Sequence, residues 1–160
     1  MNYELIMLKS LKQIKRAADG LKKRIRIKAE SSYCTLNVKG GTIGQIEEIA
    51  VLIEKRNEYE EICQVVVGAL KSLPRSYCVL LRKVYFNNVP CCKIAEKYNT
   101  SRSTVYRRVF QAREAFKDAL LNGGYDERWF MENYGKLGFV RQNYILTVPK
   151  SQSDREFGSV

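Results

Sequence analysis

The stretch that decides the fold is residues 89–109, VPCCKIAEKYNTSRSTVYRRV. Pro90 suits the first turn of a helix, where the missing N–H costs no hydrogen bond. Ile94 and Tyr98 are four residues apart, a spacing that predicts that both face a core. Ala95 between them is small, so a second helix can cross the first one closely. The stretch therefore begins with a short helix that is crossed by another.

A tight turn and a longer helix follow in the same stretch. Asn99 tolerates the left-handed backbone that a tight turn requires. Ser101 is a good N-cap, because its hydroxyl can accept a hydrogen bond from a free backbone N–H. The residues beyond it repeat an apolar position every three or four residues, which predicts the buried stripe of a long last helix. This stripe consists of Val105, Val109, Ala112, Phe116 and Leu120. Residues 89–121 are thus predicted to form a helix-turn-helix.

The opposite face of the last helix is basic and polar, and Phe110 lies on it as well. A helix fits the major groove of DNA, and side chains near its N-terminus reach the base edges. The residues predicted to contact bases are Arg102, Ser103, Thr104, Tyr106 and Arg107. The residues predicted to contact phosphates are Lys83, Lys93, Lys97, Ser101, Arg108 and Arg113. The alternative is an ordinary helical hairpin with a basic outer face.

Residues 73–120 also resemble a known family, region 4 of bacterial sigma factors. The resemblance lies in Leu73-Pro74, Tyr77-Cys78-Val79-Leu80, Tyr85-Phe86, Ile94-Ala95-Glu96, Ser101-x-x-Thr104-Val105 and Arg108-x-x-x-Ala112. With a helical half before this region and no DNA-melting domain, the architecture resembles the phage-encoded ArpU/RinA-like regulators of late genes.

The resemblance implies a domain of three or four helices whose last helix reads a promoter element. It further implies a bacterial or prophage setting in the cytoplasm and contact with RNA polymerase. Two positions depart from the family pattern. Asn99 stands where glycine is usual, and Thr100 stands where an apolar residue is usual, which puts the packing beneath the turn in question.

The chain before the motif is predicted to be helical, so the fold class is all-α. Apolar residues recur at helical spacing over residues 3–28 and again over 43–71, and glycines and serines in 29–44 predict a loop between them. The apolar stripes are Leu5, Leu8, Leu11, Ile14, Ala18, Leu21 and Ile25 in the first helix, and Ile46, Ile49, Leu52 or Ile53, Tyr59, Ile62 or Cys63, Val66 and Leu70 in the second, where Arg56 interrupts it. An antiparallel hairpin and self-association into a homodimer are both open.

Three regions follow from these elements: an N-terminal helical region at 1–72, the DNA-binding domain at 73–121 and a small irregular extension at 122–160. Pro74 predicts the start of a helix over 74–86, which Asn87 and Asn88 end. Gly123-Gly124 ends the last helix of the motif. In the extension we expect a short helix over 126–134, a strand over 139–148 and ten disordered residues at the end.

The formal net charge of +11 favours a polyanionic partner, and it is unevenly distributed. Residues 1–41 carry +7, residues 42–72 carry −3, residues 73–121 carry +7 and residues 122–160 are neutral. The basic first helix could touch DNA phosphates or an acidic partner helix, or it could simply be solvated. The sequence contains no run long and apolar enough for a membrane span, and we expect no secretory signal at its N-terminus.

Catalytic and metal chemistry are not expected. The chain has no histidine and five cysteines, at 34, 63, 78, 91 and 92, without a C-x-x-C spacing. Ser-His-Asp catalysis, Cys-His catalysis and the usual zinc sites are therefore excluded, and free buried thiols in a reducing cytoplasm are expected. No cofactor is predicted, and the protein is not expected to be an enzyme.

The function expected from these features is sequence-specific binding of double-stranded DNA by a transcriptional regulator, a phage or prophage late-gene activator. Two other roles stay open: an alternative sigma factor, and a phage accessory protein for DNA packaging or recombination. A sigma factor would need a second module with exposed aromatic residues, and residues 1–72 contain three tyrosines and no Trp or Phe. A metal-dependent nuclease would need an acidic cluster, which the sequence does not suggest.

Overall fold

The structure is a computed structural model that describes residues 2–34, 41–135 and 137. All regular elements in these ranges are helical, which confirms the all-α prediction. The elements are α1 (Tyr3–Cys34), α2 (Gly41–Ser72), α3 (Arg75–Leu81), a π-helical turn π1 (Arg82–Phe86), α4 (Cys91–Lys97), α5 (Arg102–Asn122) and α6 (Glu127–Tyr134). The strand expected over 139–148 and the disorder expected at the C-terminus lie outside the described residues.

The loop predicted over 29–44 is wrong at both ends. α1 continues to Cys34 and α2 already begins at Gly41, so only 35–40 separate them. Arg26 and Glu30, an i,i+4 ion pair of 2.7 Å, support the end of α1, and the Ser31 hydroxyl donates to the Lys28 carbonyl at 2.9 Å. Ser31, Gly41 and Gly44 are therefore helical residues and not part of a loop.

The chain divides into two compact units. Unit 1 comprises residues 1–11 and everything from Val65 onward, and unit 2 comprises Lys12–Gln64. In unit 2, Ile14, Ala18 and Leu21 of α1 and Tyr59 and Ile62 of α2 are buried. These residues are the apolar positions that the helical spacing predicts.

Within unit 2 the two helical segments are antiparallel. The ammonium group of Lys28 pairs with Glu48, while Lys15 and Asp19 act electrostatically on Cys63. Later positions of α1 therefore face earlier positions of α2, as in the predicted hairpin. Burial raises the pKa of the Cys63 thiol, which makes it a poor nucleophile.

One predicted apolar position of α2 is wrong. Ile46 is 61% exposed, whereas Ile49, Leu52 and Arg56 are half-buried. These three positions define a helix face that lies about 90° around the axis from Ile46, since each residue advances the helix by about 100°.

Two parts of the core of unit 1 bear on the site. Ile94 and Ala95 of α4 pack on Val105 and Val109 of α5, and the small Ala95 allows the close crossing that its size predicts. The second part lies at the start of α1, where Tyr3 is buried and its ring contacts Phe130 of α6, with centroids 6.0 Å apart. Helix α6 spans Glu127–Tyr134 as predicted, and Asp126 caps it by accepting from the Trp129 N–H at 2.8 Å.

The cysteines in the described ranges whose side chains are placed, Cys63, Cys78, Cys91 and Cys92, are free thiols. Buried thiols were expected, but each of these four side chains is only half-buried. No helix in the described part of the chain combines the length and apolar character that crossing a membrane requires.

Candidate nucleic-acid interface

The turn between α4 and α5 has the backbone geometry that the sequence predicts. Asn99 has φ 49°, in the left-handed region, and its N–H donates to the Glu96 carbonyl at 3.2 Å. The next N–H, of Thr100, donates to the Ala95 carbonyl at 3.0 Å. Both bonds close the end of α4, so the chain reverses within a few residues. Thr100 is half-buried in this turn in place of an apolar side chain.

Ser101 caps the N-terminus of α5, as predicted. Its Oγ accepts from the Thr104 N–H at 3.1 Å, and it lies 2.9 Å from the Ser103 hydroxyl and 2.8 Å from the Thr104 hydroxyl. Three side-chain oxygens therefore form one small network at the first turn. The remaining free N–H groups and the positive end of the helix dipole point out of this turn.

The buried stripe of α5 fixes which face is available to a partner. Each of the five predicted positions is buried, and none is more than 8% exposed. On the other side of the helix, Tyr106 is 62% exposed and Phe110 is 58% exposed. Arg102, Ser103 and Arg107 are exposed too, and Thr104 is half-buried. The structure thus brings all five predicted base-contacting residues onto the first two turns of α5.

The arginines of these two turns are not neutralised within the protein. Within the described ranges, Arg102, Arg107 and Arg108 have neither an ion-pair partner nor a side-chain hydrogen bond. Farther along the same face, Glu114 and Asp118 are exposed. Because a polyanion is attracted to the first turns and repelled by the later ones, the candidate interface is limited to about the first half of α5.

The lysines predicted to contact phosphates lie on neighbouring elements. Lys93 and Lys97 are exposed on α4. Lys83 lies on π1, and its ammonium group is 4.6 Å from the centre of the Tyr98 ring and donates to the phenol oxygen. This hydrogen bond and the positive charge of Lys83 lower the pKa of Tyr98.

Tyr98 does not face the core, so that prediction is wrong. Its side chain is 55% exposed. Tyr98 is the C-cap of α4, with φ −101° and ψ 10°, and it has therefore left the helical geometry that the four-residue spacing from Ile94 assumes. Its ring covers Lys83 instead.

A groove beside α5 contains Arg75, a cation that was not among the phosphate contacts predicted from the sequence. Its volume is about 650 Å³, and Arg75, Lys83 and Arg108 line it, with Val79, Leu80 and Ile94 among its apolar residues. No acidic residue lines this groove. The signal that could have found Arg75 is its place at the start of α3, directly after Pro74.

Arg113, predicted to contact phosphates, is instead engaged within the protein. Its guanidinium group pairs with Glu4 at 3.1 Å, and its side chain is only 20% exposed. It also hydrogen-bonds Tyr85. Burial raises the pKa of Tyr85, and the nearby charge of Arg113 offsets part of this rise. Arg113 thus lies between α5 and the start of α1 in unit 1 and is left out of the interface proposed below.

Comparison of the chain with protein-family models, with curated proteins and with solved structures finds no match. The resemblance to sigma factor region 4 therefore stays a prediction. In the described ranges, no group of three or more His, Cys, Asp or Glu side chains is placed to hold a metal ion.

Proposed function

We propose that the protein is a transcriptional regulator that binds double-stranded DNA sequence-specifically, with the start of α5 in the major groove. The observation that carries this proposal is the set of unpaired arginines, Arg102, Arg107 and Arg108, on the two turns that follow the Ser101 cap. Such side chains, held on a rigid helix with a packed opposite face, suit the reading of base edges.

Each side chain has a role that its chemistry supports. Arg107 lies opposite the buried stripe, where its guanidinium group can donate two parallel hydrogen bonds to O6 and N7 of a guanine. Tyr106 offers an apolar ring to a thymine methyl group, and Ser103 offers a hydroxyl to either a base or a phosphate. Arg102 extends from the first residue of α5.

Phosphate contacts would hold the helix in register without reading sequence. Exposed or half-buried cations lie on α5 and on the elements beside it: Lys93 and Lys97 on α4, and Lys83, Arg75 and Arg108 around the groove. The free N–H groups at the start of α5 favour a phosphate at the same end. Ser101 is less suited to this role than predicted, because its hydroxyl already serves the cap.

The biological role is proposed from the resemblance: activation of phage or prophage late genes in the cytoplasm of a bacterial host, with RNA polymerase as a second partner. An alternative sigma factor is the second candidate, and an accessory protein for packaging or recombination is the third. Initiation assays with core polymerase and this protein alone separate the first two, because only a sigma factor directs specific initiation unaided. Enrichment of a packaging site instead of promoter DNA would favour the third.

The test is a selection of genomic DNA fragments by the purified protein, run beside Arg107→Ala. We expect the wild type to enrich a promoter-proximal motif, and Arg107→Ala to lose preference at one base pair, at a cost of about 1–3 kcal/mol. Lys97→Gln is the matched control, since it should weaken binding to all fragments alike. Enrichment of nothing by the wild type, or an unchanged motif with Arg107→Ala, would refute the proposal.

A further inference from the structure

The segment of α1 in unit 2 has an unusually basic exposed face. Residues 12–34 contain eight basic and two acidic residues, whereas residues 41–64 on the other arm contain two basic and six acidic residues. The α1 basic face is defined here by six exposed side chains. They are Lys12, Lys15, Arg16, Lys22, Lys23 and Arg26.

This face points away from the packed side of the helix. Ile14, Ala18 and Leu21 are 0–8% exposed and mark the buried side, while Lys12, Arg16 and Lys23 project from roughly the opposite side at about 100° per residue. From Lys12 to Arg26 the face extends about 21 Å at 1.5 Å per residue. The length corresponds to about six base pairs of DNA along one strand.

The cations on this face outnumber its one carboxylate, that of the exposed Asp19. Arg26 pairs with Glu30, but Lys12, Arg16, Lys22 and Lys23 have no ion pair to any described residue. The acidic arm of unit 2 does not compensate them: the ion pair that joins the two arms uses Lys28, which lies outside the face. A row of free cations of this density calls for an anionic partner.

We propose that the α1 basic face is a second DNA-binding surface, which contacts the phosphate backbone without reading sequence. This inference rests on the proposed function in that the partner is the same double-stranded DNA. It adds a separate surface in unit 2, on a helix outside the helix-turn-helix.

The chemistry of the face favours DNA over a membrane surface or a protein partner. A helix that lies on a membrane inserts its apolar side among the lipids, but the apolar side of this segment is already buried in the protein. A protein interface needs large apolar or aromatic anchors, and Ile27 is the one large apolar side chain exposed on residues 12–31. Phosphate contacts need only placed cations.

The experiment measures the affinity for a fixed duplex over a series of salt concentrations. The variant is Lys12→Gln/Arg16→Gln/Lys23→Gln, because glutamine has nearly the same helix propensity as lysine and arginine. Removal of three phosphate contacts should reduce the slope of log K against log salt by about 2–3, equally on all duplexes. The motif selected from genomic fragments should stay the same.

The matched control is Lys55→Gln/Lys71→Gln/Arg128→Gln, which lowers the net charge by the same three units at exposed sites elsewhere. Equal slopes for the wild type and the α1 variant, or equal losses for both variants, would overturn the inference. So would binding of phosphatidylserine vesicles that the α1 variant loses while its DNA slope is unchanged.

The failures of the two proposals can be told apart. An unchanged motif with Arg107→Ala together with a lower slope for the α1 variant would refute major-groove reading and support the α1 surface. The reverse pattern would support the helix-turn-helix and refute the α1 surface.

Discussion

Glu4 and Arg113 form a buried ion pair between positions 109 residues apart in sequence, with Arg113 Nη2 donating to Glu4 Oε1 at 3.1 Å. The side chain of Glu4 is 3% exposed and that of Arg113 is 20% exposed. The second carboxylate oxygen of Glu4 and Nε of Arg113 are buried without a hydrogen-bond partner in the described part of the protein. The pair joins the start of α1 to the middle of α5, and its geometry is only partly satisfied.

The first prediction concerns the removal of one partner. Glu4→Met leaves the Arg113 charge covered and unpaired, and we expect the free energy of unfolding to fall by about 3–5 kcal/mol in urea titrations. Glu4→Met/Arg113→Met should recover most of this loss, because no buried charge remains. The exposed pair Arg128–Glu132 is the control, and Glu132→Met should change stability little. A double variant as unstable as the single one would contradict this account.

The second prediction is a loss of stability in alkali that depends on Tyr3. Burial, with a smaller effect of Glu4, raises the pKa of Tyr3 to about 12, compared with about 10 in the unfolded chain. The neutral phenol is favoured in the folded state, so its contribution is fully present below pH 10 and is lost as the pH rises to 12. The loss should be about 2–3 kcal/mol.

Tyr3→Phe isolates this contribution from those of the other tyrosines. The Tyr3 hydroxyl is buried with no hydrogen-bond partner among the described residues, so its removal should leave the protein at least as stable at pH 7. The difference in unfolding free energy between the wild type and Tyr3→Phe should grow from pH 10 to pH 12. A constant difference over this range would be inconsistent with the raised pKa.

The third prediction tests the left-handed turn. Asn99→Gly should leave the unfolding free energy within about 0.5 kcal/mol, because glycine adopts φ near 49° without steric cost. Asn99→Val should lower it by about 1–2 kcal/mol or more, since a β-branched side chain is strained there. Lys97→Val in the exposed last turn of α4 controls for the valine itself. Equal effects at positions 97 and 99 would show that the turn conformation is not decisive.

The fourth prediction separates stability from DNA binding at the cap. Ser101→Ala removes the acceptor for the Thr104 N–H and should cost about 0.5–2 kcal/mol. Ser101→Asp restores the acceptor and suits the helix dipole, so stability should return to the wild-type value or exceed it. Its carboxylate would face the phosphates, however, and DNA affinity should fall. Unchanged affinity for Ser101→Asp would place the DNA elsewhere.

The local features of α5 could be read from the sequence because they depend on neighbours in the chain. The stripe from Val105 to Leu120 follows from helical periodicity, and the Ser101 cap and the Asn99 turn follow from the intrinsic preferences of those residues. Tyr98 was mispredicted because periodicity holds only inside a helix, and this residue ends one.

The features that could not be predicted depend on contacts between residues far apart in the sequence, or on patterns that the sequence marks only weakly. In the sequence Arg113 resembles the other cations of α5, and only the folded structure shows that it forms an ion pair with Glu4. The π-helical turn at 82–86 follows α3 directly and has no residue that marks it in the sequence. Ile46 was assigned to the wrong face because several apolar stripes could be drawn through an α2 rich in isoleucine and valine.

The division of unit 1 between the two ends of the chain has a consequence for biosynthesis. Tyr3 and Glu4 leave the ribosome before their partners Phe130 and Arg113, which follow more than 100 residues later. At about 5–20 residues per second, translation reaches these partners about 5–25 seconds after Tyr3 and Glu4. Residues 12–64 form a compact unit of their own and can pair in the meantime. The hairpin of unit 2 can therefore form before Tyr3 and Glu4 are buried.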